Sequence, residues 1–97
     1  MAIEHANSFV CNFFEDDIFL KEVLNRRGFE RYDEKNVDAE NAKIVEIANE
    51  MGFHFDINEY AEANKNYMNE LGGWEASKRV FHMIKVAANL ARENSDE

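Results

Sequence analysis

Proline, threonine and glutamine do not occur in this 97-residue chain, and glycine occupies four positions, Gly28, Gly52, Gly72 and Gly73. Strand-rich folds with many tight turns draw on proline, glycine and threonine, so their scarcity leaves helix as the economical backbone. Cysteine is equally scarce. Cys11 stands alone, which excludes an intrachain disulfide and fits a reducing, intracellular setting. No apolar run approaches the roughly 18 residues of a membrane span. The start MAIEHANSF carries an acid and lacks the basic and apolar regions of a signal peptide. The expectation is a protein that is cytoplasmic when made, with no membrane span.

Acid is abundant. Twenty Asp and Glu face eleven Lys and Arg, for a formal charge of −9. Phosphate backbones and anionic membranes would repel such a chain, so direct nucleic-acid binding is disfavoured, while a basic partner protein or mimicry of nucleic acid is permitted. The charge is uneven. Seven basic and sixteen acidic residues precede Trp74, and four of each follow, so the whole excess lies in residues 1–73 and the segment 74–97 is neutral. A chain near this length buries about 60–70% of its unfolded surface, enough for one modest core.

Apolar periodicity predicts an all-α fold, a small bundle of four to five short helices. Ile3, Ala6, Val10, Phe13 and Phe14 recur at helical spacing, with Phe9 widening the stripe. Asp16 or Asp17 then caps a second helix with Phe19, Leu20, Val23 and Leu24 inward, ending at Arg26, Arg27 and Gly28. Phe29 to Val37 reads as a charged loop in which Phe29 and Tyr32 tuck against the core. A third helix starts near Asp38 as N-cap with Val37 as hydrophobic staple. It presents Ile44, Val45, Ile47, Ala48 and Met51 and ends at Gly52. Phe53-His54-Phe55 is an aromatic connector. Asp56 and Glu59 have capping-box spacing ahead of a fourth helix through Tyr60, Ala63, Tyr67, Met68 and Leu71. After Gly72, expected as a left-handed cap, a fifth helix runs from Trp74 with Ser77, Val80, Phe81, Ile84, Ala87, Ala88 and Ala91 in one stripe, and Asn94 to Glu97 as a frayed end.

Catalytic chemistry has little to work with. Cys11 sits within a helical apolar stripe, a setting that raises a thiol pKa and leaves it unreactive. No CxxC, HxxxH or HExxH spacing occurs, and Lys35 and Val37 fall on ligand positions of the would-be calcium loop Asp33 to Ile44, which also lacks its glycine. Phosphate-binding glycine loops are absent. Paired carboxylates such as Asp16 and Asp17 are explained by caps and solvated faces. The expectation is a non-enzyme without metal or cofactor. Most aromatics read as core, whereas Tyr67, Trp74 and Phe81, around the double glycine, are candidates for partner contact.

The stretches SFVCNFFEDDIFLKEVL and AKIVEIANEMGFHFDINEYAEA resemble the nitrogen-fixation-associated (Nif-eleven-type) leader domain of ribosomally made, post-translationally modified peptide precursors. The likeness rests on the helix from Ile3, on Asp16 with Leu20 and Leu24, and on Ile44, Ala48, Gly52, Phe53 and Phe55 ahead of Tyr60, and it spans residues 1–71. It implies an acidic helical leader over residues 1–73, recognised by a modifying enzyme. Gly72 and Gly73 would be the processing site, and residues 74–97 a core peptide that is exported once released. Glu70 departs from the pattern, since such sites carry an apolar residue four before the cut, and the segment after it offers only Ser77 and Ser95 for modification. The other readings are that the fifth helix is structural, or that the chain is an acidic binding module or inhibitor, for instance a nucleic-acid mimic of phage origin. A stripe as apolar as that of the fifth helix also permits a homodimer.

Overall fold

A computed structural model describes residues 2–95, the side chains of Ala2 and Ser95 excepted. Five helices follow one another: α1 (Ala2–Glu15), α2 (Asp17–Arg27), α3 (Val37–Glu50), α4 (Ile57–Leu71) and α5 (Gly73–Ser95). The described residues are 82% helical and all-α, with no strand among them. The last two residues of the expected frayed end, Asp96 and Glu97, lie outside that description.

Local chemistry sets the breaks. Asp16 closes α1 and opens α2, its carboxylate accepting the N–H groups of Ile18 at 3.0 Å and Phe19 at 3.3 Å. The capping box at α4 is complete: Asp56 accepts from the Glu59 N–H at 2.8 Å and Glu59 returns to the Asp56 N–H at 3.0 Å. At α3 the expected cap is displaced by two residues. Asn36 is the N-cap, its side-chain oxygen accepting from the Ala39 N–H at 3.3 Å. Val37 therefore becomes the first helical residue and is exposed, so no staple forms. Gly28 and Gly72 end α2 and α4 with φ 86°, ψ 175° and φ 80°, ψ 164°. These are not the left-handed helical cap expected at Gly72 but an extended mirror-image conformation that only glycine occupies readily.

The core is one cluster. Ala6, Phe9, Val10, Phe13 and Phe14 of α1 meet Leu20, Val23 and Leu24 of α2, Ile47 and Ala48 of α3, Phe55, Ala63 of α4, and Val86 and Leu90 of α5. Phe9 is its centre, with ring centroids of Phe19, Phe53 and Phe55 at 5.5, 5.7 and 5.6 Å. Edge-on and tilted geometries at these distances are the favourable ones for aromatic pairs. The connector 53–55 is pinned from both sides: Asn49 donates to the Phe55 carbonyl at 3.2 Å, and the His54 N–H donates to His5 Nδ1 at 3.1 Å. α1 packs most extensively on α4, and α5 lies against α1, α2 and α4. The radius of gyration is 13.3 Å, close to the ~13 Å of a compact 100-residue fold.

Candidate interaction face on helix α5

The expected single stripe on α5 divides in two. Val86 and Leu90 are buried, with Met83 and Ala87 half-buried against the core. Trp74, Phe81 and Ile84 are instead 74%, 70% and 52% exposed. On the reading that the fifth helix is structural, the stripe of Trp74, Val80, Phe81, Ile84 and Ala88 would do the packing; the helix does pack on the core, but through Met83, Val86 and Leu90, outside that stripe. The apolar arc of α5 is wider than the space its neighbours offer, so one edge is left in solvent. His82 Nε2 lies 2.7 Å from Asp17 Oδ1, a contact from α5 to the start of α2 that helps hold the helix in this rotation.

The outer stripe continues into a groove of about 720 Å³. Val80, Ile84 and Ala88 form its α5 side, and Leu24, Phe29 and Tyr32 face them. The segment 28–36 that carries Phe29 and Tyr32 is organised by Arg27, which donates to the carbonyls of Gly28 at 3.0 Å and Glu30 at 3.2 Å and to Glu40 at 2.7 Å. Glu40 is the one buried charged residue in the described core. The Arg27 guanidinium holds its carboxyl below the usual carboxylate range against the opposing effect of burial, aided by the Asp33 N–H and by Lys43. Phe29 is half-buried as expected, but Tyr32 is exposed at the rim.

A second cleft, of about 660 Å³, lies along the seam where α1 packs on α4, and Tyr67 lines it. Its phenol donates to Glu15 at 3.0 Å and its ring stacks on Phe14 at 5.3 Å. Tyr67 therefore does not join Trp74 and Phe81, contrary to its grouping with them. Cys11 lines the same cleft and is exposed rather than embedded in the stripe. Its thiol, 3.3 Å from Glu15, is pushed up by burial and then by that carboxylate, so the thiolate is disfavoured. Among the described residues no group of three or more His, Cys, Asp or Glu side chains is gathered as for a metal ion, and no helix is long and apolar enough to cross a membrane.

Gly72 and Gly73 are both exposed, but they differ. Gly72 is the break, whereas Gly73 already belongs to α5, whose first turn is closed by the Ala76 N–H on the Gly72 carbonyl at 2.9 Å. Compared with family models, curated proteins and solved structures, the chain matches none.

Proposed function

We propose that this chain is a non-catalytic recognition domain, whose activity is to be bound by another protein, and that its partner docks on the outer face of α5. The observation that carries this is the two-sided helix. Val86 and Leu90 seat α5 in the core while Trp74, Phe81 and Ile84 are held out in solvent along its other side. Large aromatic and aliphatic side chains on a rigid helix are the anchors on which protein interfaces depend.

The reading keeps one part of the leader-domain expectation, docking by a partner, and separates from it over residues 74–97. Release of that segment after Gly73 requires α5 to leave the core and its first turn to unwind, because a protease binds its substrate extended. The packing of α5 supports a helix that stays. A photo-crosslinking residue at position 81, with a control at the exposed α4 position 62, tests this in the native cell. A discrete protein adduct from position 81 alone is the expected result. Adducts equal at both positions, or a fragment ending at Gly73 in the intact-mass spectrum, would overturn it.

A further inference from the structure

Lys78, Lys85 and Arg92 recur every seven residues along α5 and all are exposed. Two turns of helix take close to seven residues, so the three cations fall within about 40° of one another and form one edge that runs for about 21 Å. That edge borders the outer apolar stripe directly: Lys78 Nζ lies 5.7 Å from the centre of the Trp74 ring. The opposite border is the groove wall of Phe29 and Tyr32, where Glu30 is the acidic lining residue. In a chain of charge −9, the face is thus framed by cations on one side and an anion on the other.

We infer that the face takes an amphipathic helix of about four turns from a partner protein, one that lays an apolar stripe over Phe81, Ile84 and Ala88. Acidic residues along one edge of that helix face Lys78, Lys85 and Arg92, and basic or neutral residues on the other edge face Glu30. The inference rests on the outer-face reading above and adds the chemistry of the partner. A second copy of this chain is a poor occupant: antiparallel α5 helices would set Lys78 of one chain against Lys85 of the other, and two bodies of charge −9 would meet. A membrane is a poor occupant too, because the stripe runs into a groove between α5 and segment 28–36, and a concave site suits a helix better than a lipid plane.

Trp74 is the sole tryptophan and reports on the face directly. The full chain is titrated with a designed helical peptide of about 18 residues bearing leucines at a and d positions and glutamates along one edge, and with its lysine-edged counterpart. The expected result is a blue shift of Trp74 emission with the glutamate-edged peptide at about tenfold or more higher affinity, a preference that shrinks in high salt. K78E/K85E/R92E, all at exposed positions, should invert the preference while circular dichroism shows the helical fold retained at the titration temperature, the loss of the Lys78–Glu75 pair at 3.4 Å being a surface effect. Equal affinity for both peptides, or no inversion in the triple variant, overturns the inference. So does a blue shift produced by phosphatidylserine vesicles but not by the peptide, or one produced by raising the protein concentration alone with a doubled mass in light scattering. If position 81 still crosslinks while the peptides are not distinguished, the outer-face reading stands and the charge rule alone is lost.

Discussion

The two faces of α5 make opposite demands on stability, and substitution of one residue on each measures the difference. Leu90 is 9% exposed and belongs to the core cluster, whereas Phe81 is the larger side chain but 70% exposed. Truncating a buried leucine to alanine removes its transfer free energy and leaves a cavity, together about 3 kcal/mol within a range of about 2–5. For a fold of this size each kcal/mol moves the melting temperature by about 4–8 °C, so Leu90→Ala should lower it by about 15 °C. Phe81→Ala deletes more carbon but little buried surface, and should stay within about 0.5 kcal/mol, or about 3 °C. Far-ultraviolet circular dichroism during thermal unfolding, at several protein concentrations, reads both. A Leu90→Ala curve that overlays the parent would mean that α5 adds nothing to the fold, as a dispensable core peptide would. A Phe81→Ala loss as large as that of Leu90→Ala would refute the rotation assigned to the helix, and one that shrinks as the proteins are diluted would reveal a dimer.

The two adjacent glycines should respond unequally: Gly72→Ala forces an alanine into φ 80°, ψ 164° at a cost of about 1–3 kcal/mol, while Gly73→Ala, already helical with open space around it, should be neutral or slightly stabilising. Urea melts of the two variants check this, and a harmless Gly72→Ala would contradict the backbone at the junction. Because the carboxyl of Glu40 sits below its ordinary 4.5 in the fold, its contribution is present in full above that pH and is lost as pH falls through the lowered value. Denaturant midpoints measured between neutral and acid pH should show this loss, and Glu40→Gln should remove it. Burial, and for Tyr67 the Glu15 carboxylate, raise Tyr60 and Tyr67 from 10 to about 12. The fold therefore favours their neutral phenols, and stability should decline as pH rises from 10 towards 12. Phenolate absorbance followed alongside circular dichroism should show both tyrosines ionising late and with loss of helix.

What the sequence made legible was the part governed by neighbours. The α1 stripe, the Asp16 cap, the Asp56–Glu59 box and the inward face of α2 all depend on residues within one or two turns of each other, and each is found where its spacing places it. What escaped depends on tertiary partners. Arg27 and Glu40 are 13 positions apart and His82 and Asp17 are 65 apart, and no local pattern announces such pairs. The rotation of α5 escaped for another reason: with apolar residues around more than half its circumference, periodicity shows that a face exists without saying which half the bundle covers. Its cation edge was legible at a period of seven in Lys78, Lys85 and Arg92, but counting charges over the whole segment cancelled them against the acids Glu75, Glu93, Asp96 and Glu97.

The most extensive helix contact joins α1 to α4, and the cluster around Phe9 is completed only by Val86 and Leu90 of α5. A ribosome delivers the chain from the other end. α1 emerges with Phe9, Phe13 and Phe14 uncovered and has to wait for residues more than forty positions later before its main partner exists. At roughly 5–20 residues per second that is an interval of a few seconds during which an aromatic helix has only α2 to fold against. The nascent chain is thus stickier than the finished protein, and its high acid content is present throughout that interval, keeping the exposed segments apart until the last helix arrives.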